Sequence, residues 1–350
     1  MRLIKPSCEV WEQGPGIIGV NKMIERCGRV CYKSEDKVTE DSCFKFVEML
    51  ANRQHGAMLE FGTVYLKYKL SSGDWDKGDD MLKFWMTQKY SNVNTFVHED
   101  ENGVGFKTMY ITTNFRVIHE YNRHQDMLDY MCEPTEFHEP RITAYFTVDR
   151  GVSHELVRHR TFSWAQESTR YCNYGKDRFG NAVTFIIPNW LDNVDFILEN
   201  MPDTAGEQSS AFDRWWDAKQ ISTGDYLWLD AMLSAEAKYK TFVGADIFDF
   251  ASALALSFQE QHEEKWERPK NDDLLNIDTK GKKIRESSFW QAQQARSVLP
   301  NSLATSIVAC AFLRDWKHFF GLRDAAPAHP QMKEVAAPLH TLFKTLGYLK

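Results

Sequence analysis

Between Ser153 and Tyr171 the chain carries three arginines (Arg158, Arg160, Arg170), two histidines (His154, His159), Gln166, Glu167 and several hydroxyls within nineteen residues. Arginine forks match the paired oxygens of phosphates and carboxylates, and Ser168 and Thr169 add hydroxyl donors. These types at this spacing point to an anion site. The plainer alternative is a salt-bridged surface segment, since surface ion pairs are common and weak. Interleaved Phe162, Trp164 and Tyr171 argue against full exposure of the segment.

Three other chemistries can be weighed against the same residues. His154-Glu155-Leu156-Val157-Arg158-His159 nearly spells the zinc-protease pattern, whose two histidines stand four apart to share a helix face. Here they stand five apart, about 140° round from one another on a helix, so no metal site is expected. His154, Arg158 and His159 loosely match the box of tyrosine recombinases, with the spacing wrong by one. A nucleophilic Ser163 or Ser168 needs a base held against it, and no residue is designated for that role. The seven cysteines, Cys8, Cys27, Cys31, Cys43, Cys132, Cys172 and Cys310, are scattered without a CxxC pair. Free, mostly buried thiols are expected in a reducing compartment.

The elements that must position these residues are partly legible. A helix is expected near 36–53, with Phe44, Val47, Leu50 and Ala51 at helical spacing. Residues 61–70 alternate, with Val64, Leu66, Tyr68 and Leu70 on one face, which predicts a strand. Residues 71–81 read as a polar loop, Thr112–Tyr130 as a helix and 131–140 as a loop. Arg141–Val148 alternates again and is expected to pair with 63–70. The 190–290 region reads as mostly helical, with polar interruptions at 202–210 and 262–284, and the run His262–Lys265 as a solvated face. Leu303–Leu322 reads as an apolar helix ending near Gly321. No strand–helix alternation and no GxGxxG fingerprint occur, against a Rossmann dinucleotide site. The class expected is α+β.

Across 350 residues, 43% are hydrophobic and 13% aromatic, enough for a substantial core, and the net charge is −7. A dedicated nucleic-acid binder usually shows a basic domain, so no nucleic-acid partner is expected. No stretch approaches the ~20 apolar residues of a membrane helix, and no apolar segment follows the charged start. A cytoplasmic location without membrane contact is expected.

Arg158-His159-Arg160, seven further residues and Ser168 resemble the signature of flavin-dependent thymidylate synthases, and Ser168-Thr169-Arg170-Tyr171 continues the likeness. Arg29-Val30-Cys31-Tyr32 resembles an early family segment, and His55 to Glu60 a His-x-x-x-x-Glu box. Ala295-Arg296-Ser297-Val298-Leu299-Pro300 resembles an Ala-Arg-x-x-Leu-Pro box, and Phe319 to Arg323 a closing helix ending in Leu-Arg. The ordered matches run from residue 29 to residue 323.

The resemblance implies a single catalytic domain over 1–350, a central antiparallel sheet flanked by helices and enlarged by insertions near 71–140 and 175–290. It implies a homotetramer with active sites at subunit interfaces. It also implies reductive methylation of dUMP to dTMP, with 5,10-methylenetetrahydrofolate as carbon donor and NADPH-reduced FAD as hydride source. By position, Glu155, Arg158, Gln166, Glu167, Ser168, Thr169, Arg170, Arg296 and Arg323 fall where the family holds dUMP. Ala57, Glu60, Arg158, His159, Arg160, Gln166, Phe312, Arg314 and His318 fall where it holds FAD. Arg323 takes the place of the group that activates the uracil ring. Departures are Glu155 where many members have Gln, Ala57 where a hydroxyl is common, Phe312 and His318 in place of Asn, and Pro327 in place of His. A degenerate, non-catalytic flavin or nucleotide binder is the alternative.

Overall fold

The computed structural model describes residues 1–71, 75–99, 105–176, 179–244 and 290–349. In chain order the elements begin with β1 (Arg2–Ile4), β2 (Ser7–Trp11), α1 (Gly16–Val30), α2 (Ser42–Asn52), α3 (Gly56–Leu59) and β3 (Thr63–Ser71). They continue with α4 (Trp75–Thr87), β4 (Asn92–Glu99), β5 (Gly105–Asn114), α5 (Phe115–Glu120), α6 (His124–Tyr130), β6 (Arg141–Asp149), α7 (Arg150–Leu156) and β7 (Ser163–Gln166). The remainder is β8 (Thr184–Ile186), α8 (Val194–Asn200), α9 (Ala205–Asp217), α10 (Thr223–Phe242), α11 (Ala292–Ala295), β9 (Ala304–Phe312), α12 (Leu313–Arg323) and α13 (Pro330–Thr345). The fold is α+β, with antiparallel sheets flanked by helices. No helix among the described residues is long and apolar enough to cross a membrane.

The chain forms two compact units. One comprises Pro6–Val148, Val152–Glu167 and Thr305–Lys350. It holds a four-stranded sheet of order β2-β6-β9-β7 and a three-stranded sheet of order β3-β5-β4. In the first sheet β6 lies inside the order and is buried along nearly its whole length, as is β9. Phe146, Ile307, Trp316, Phe319 and Phe343 form the core beneath it. In the second sheet Val64, Leu66 and Tyr68 of β3 are fully buried with Val20 and Ile24 of α1. Gly62 allows that close approach: a Cβ there would lie 2.7 Å from both Val20 and Ile24 side chains. The α1–β3 packing sets the position of α3 and of Glu60 just after it.

The other unit comprises Met1–Lys5, Asp149–Gly151 and Ser168–Ala304. Its two-stranded sheet pairs β1 with β8 in parallel. Helices α9 and α10 each open on a capping box, Thr204 with Glu207 and Ser222 with Asp225. Each box satisfies backbone donors that a helix start otherwise leaves unpaired. Phe185, Phe212, Trp215, Leu229 and Tyr239 make its core.

Several expectations are corrected. Strand β6 pairs with β2, not with β3, whose partner is β5; alternation marks a strand but carries no address for its neighbour. Residues 304–312 form a strand and only 313–323 a helix. A short apolar run buried on both faces lacks a period that separates strand from helix. Helix α4 occupies much of the segment read as a loop at 71–81, and α9 starts inside the polar stretch 202–210. Thr112–Asn114 belong to β5, and two short helices follow in place of one. The helix expected from residue 36 starts at Ser42, after a 3-10 turn at Glu35–Lys37. Helix α1 and strands β1 and β2 were not anticipated. Residues 262–284, with the charge run His262–Lys265, lie outside the described residues.

Candidate active site

Arg323 is the last residue of α12, where the helix dipole favours a cation. Its guanidinium is held by three hydrogen bonds. Nη1 donates to Glu155 Oε2 at 2.7 Å, Nη2 to the Glu155 carbonyl at 3.0 Å, and Nε to His159 Nε2 at 3.0 Å. Because arginine only donates, His159 must offer a lone pair at Nε2 and carry its proton on Nδ1. The ring is buried against Phe162 and Phe319, with His318 at 6.4 Å between centroids. Burial first, then the charge of Arg323 and the neighbouring His318, lower the His159 pKa from 6.5 to about 4. The imidazole is therefore uncharged at neutral pH, and the arginine clasp stays intact.

This has a measurable consequence. Between about pH 6.5 and 4 the unfolded chain takes up a proton that folded His159 refuses, so its contribution to stability is full above 6.5 and is lost as pH falls. The interval from 6.5 to about 4 corresponds to on the order of 3 kcal/mol. Urea midpoints should fall less steeply over this range in His159→Gln than in the wild type. Parallel curves would mean that the ring is protonated in the folded chain.

A second cluster in the same unit surrounds Glu60. Its carboxylate accepts from Arg116 Nη1 at 2.6 Å and from Ser163 Oγ at 2.6 Å. Arg141, buried on β6, donates to the Glu60 carbonyl at 2.9 Å and to Ser163 Oγ at 3.3 Å. Its Nε has no hydrogen-bond partner among the described residues. The Arg141 and Arg314 guanidinium carbons stand 5.7 and 4.5 Å from the Phe312 ring centre, within reach of cation–π attraction. The sequence marks neither Arg116 nor Arg141, and it offers Ser163 only as a nucleophile lacking a base, whereas here Ser163 is a donor to Glu60. Arg141 lies opposite Ile142 in the alternation, yet it is buried with its guanidinium on Glu60, Thr63 and Ser163.

The remaining expected residues are distributed as follows. Gln166 has its amide nitrogen on Ser153 Oγ at 2.8 Å and Thr305 Oγ1 at 3.3 Å, so its donors serve the local structure. Glu167 is buried and fixed by the backbone of Ser306 and by Lys33 Nζ at 3.2 Å. Lys33, another residue not anticipated, has a left-handed φ of 45° just past α1. Arg158 and Arg160 are exposed, their side chains without ion pairs among the described residues, and Ala57 is exposed on α3. Arg314 and His318 are exposed on α12.

In the other unit, Thr169 Oγ1 accepts from Arg296 Nη1 at 3.0 Å, and Ser168 Oγ accepts from the Arg170 backbone at 3.3 Å. Arg170 and Arg296 are exposed. Thus Glu155, His159, His318 and Arg323 form one group, Glu60, Phe312 and Arg314 a second, and Ser168, Thr169, Arg170 and Arg296 a third. Helix α7 ends at Leu156, so His154 and His159 do not share a helix. No group of three or more metal-ligating side chains occurs among the described residues.

A family model described as thymidylate synthase complementing protein matches residues 82–346. The flavin-dependent thymidylate synthase of Corynebacterium glutamicum is 24% identical over 189 residues, covering 54% of this chain and 51% of that protein. The protein of the same name from Corynebacterium efficiens is 28% identical over 189 residues, with 54% and 51% covered. That from Mycobacterium avium is 25% identical over 196 residues, with 56% and 54% covered. The chain spans about half the length of the curated relatives it matches. Among solved structures, a UMP/dUMP methylase PolB from Streptomyces cacaoi bound with 5-Br UMP aligns over 99% of this chain and 92% of that one. Its sequence identity is 14% and its TM-score 0.33.

Proposed function

Since the chain belongs to the thymidylate synthase complementing protein family, we propose that it is a flavin-dependent thymidylate synthase, making dTMP from dUMP. The carbon donor is 5,10-methylenetetrahydrofolate and the hydride source is FAD reduced by NADPH. The observation that carries this reading is the Arg323 guanidinium, fixed by three hydrogen bonds. Carbon 5 of uracil becomes nucleophilic only as negative charge builds on the ring oxygens. A cation already in place stabilises that charge without reorganisation.

The thiols fit a route without a cysteine nucleophile. Burial raises Cys8 and Cys31 to about 11 and pushes Cys27 well up, while Cys172 is wholly buried. A thiol held protonated attacks poorly.

The donor set suits a flavin dinucleotide. Exposed Arg158, Arg160 and Arg314 match an anionic pyrophosphate, the spare Nε of Arg141 matches a carbonyl-rich ring, and Phe312 offers an aromatic face. Ala57, Glu60, His159, Gln166 and His318 complete the proposed FAD contacts. When bound, FAD supplies the hydride that the transferred methylene needs. By the resemblance we assign Glu155, Arg158, Arg296 and Arg323 to dUMP, and Gln166, Glu167, Ser168, Thr169 and Arg170 to dUMP and mostly its phosphate. The resemblance further supports one catalytic domain, a homotetramer with interfacial active sites and a cytoplasmic location.

Tritium release from dUMP labelled at carbon 5, with FAD, NADPH and methylenetetrahydrofolate each omitted in turn, tests the reading. Release and dTMP formation should both require all three. FAD retained without release would identify a non-catalytic binder, and no flavin and no release would overturn the assignment. Ser168→Ala should weaken dUMP binding roughly tenfold or more and leave residual turnover. Turnover abolished at normal dUMP affinity would instead make Ser168 a nucleophile.

A further inference from the structure

The clasp around Arg323 does not exhaust either partner. A guanidinium has five N–H groups, and three are engaged by His159 and Glu155. Glu155 meets Arg323 through Oε2, and its Oε1 has no hydrogen-bond partner among the described residues. The side chains retain 20% and 34% exposure. Donor N–H groups and an acceptor oxygen therefore stand side by side at an accessible place. A uracil-type ring carries the complementary pair, a ring carbonyl beside N3–H.

We propose that Glu155 makes this site selective for the protonated N3–H form of a uracil-type ring, its free oxygen accepting N3–H while Arg323 donates to the adjoining carbonyl. The proposal rests on the reading of this site as a pyrimidine-nucleotide site. Arg323 by itself would favour a ring ionised at N3. With a carboxylate oxygen 2.7 Å from the guanidinium, the pair has no net charge, and an N3 anion would face a second anion with no proton between them. A glutamine in this position would leave the positive charge uncompensated and would accept either ring form. The substitution at residue 155 thus selects how the ring is activated: by hydrogen bonding at its carbonyl, with N3 still protonated.

The other charged or titratable groups around the pair do not alter its balance. On α12, His318 is exposed and lies beside His159. His159 is kept neutral by burial and by accepting from Arg323. Asp324, next in sequence to Arg323, is bound to His340 Nδ1 at 2.8 Å. On and after α7, His154 and Arg158 are exposed, and only the Arg158 backbone N–H reaches the Glu155 carbonyl, at 3.3 Å.

The test compares equilibrium binding of dUMP and 5-fluoro-dUMP, whose fluorine makes N3 more acidic, to the full chain as purified, from about pH 6.5 to 9.5. Taking the ratio of the two dissociation constants cancels titration of the shared phosphate and of the protein. Above the fluorinated ring's own N3 pKa, the ratio should rise about tenfold per pH unit, because only the protonated ring binds. Glu155→Gln should flatten or reverse that rise. A pH-independent ratio in the wild type, or a wild-type slope in Glu155→Gln, overturns the proposal and leaves the nucleotide site standing. Failure of dUMP to bind at any pH overturns the nucleotide reading itself.

Discussion

Replacing Arg323 by alanine should lower tritium release from dUMP by about 10²–10³-fold, the usual cost of one lost electrostatic donor, while bound FAD is retained. The separation of effects follows from the geometry. Arg323 bonds only Glu155 and His159 among the described residues, and it shares no hydrogen bond with the network of Glu60, Arg141, Ser163 and Arg116. Its removal frees a carboxylate that is already 34% exposed and hydrates readily, so the stability cost stays near that of a surface pair. Arg323→Lys should restore little. Lysine keeps the charge but cannot hold three fixed acceptors and still present further N–H groups in one plane. The readouts are flavin absorbance of the purified variant and turnover at saturating dUMP. A variant that loses flavin together with activity would make Arg323 structural, and one that keeps wild-type turnover would remove it from the mechanism.

Glu60→Ala should have the largest effect on folding. The carboxylate is buried and accepts two short hydrogen bonds. Arg141 forms no ion pair of its own among the described residues and reaches that carboxylate only through Ser163. Deleting the Glu60 carboxylate leaves buried Ser163 without its acceptor and Arg141 without the carboxylate it reaches through Ser163. Because Arg116 is 38% exposed and rehydrates, the cost stays at or below the lower end of the about 3–5 kcal/mol of a fully buried pair. For a chain of this size that corresponds to a fall in melting temperature of roughly 5 °C. Glu60→Gln keeps an acceptor for Arg116 and should cost less. Equal melting temperatures for Glu60→Ala and the wild type would show that the network is hydrated and contributes nothing. The same variant should also bind flavin weakly, since Phe312 and Arg314 stand against Arg141.

The family of this chain is legible from local spacing. Arg158-His159-Arg160 and Ser168, with the boxes at 55–60 and 295–300, are short patterns whose meaning needs no long-range contact. The strands 63–71 and 141–149 were legible for the same reason, because alternation is a property of a few consecutive residues. Pairing was not. A strand's partner is chosen by what else it can bury against, so β6 went to β2 and β9, and the apolar run 304–312 became a strand inside a sheet.

Residue types and spacing alone pointed to an arginine-rich anion site in an acidic α+β protein, and the family resemblance, rather than residue type, pointed to Arg323. Tertiary structure alone decided what Arg323 touches. Glu155 lies 168 positions away in sequence and supplies two of its three acceptors, and no periodicity encodes such a pairing. The same holds for Arg141. Its place in the alternation carries no sign of burial, yet it is 7% exposed with its fork on Glu60 and Ser163. A buried charge persists only where the surrounding chain brings it partners, and those partners come from segments that meet only in the folded protein.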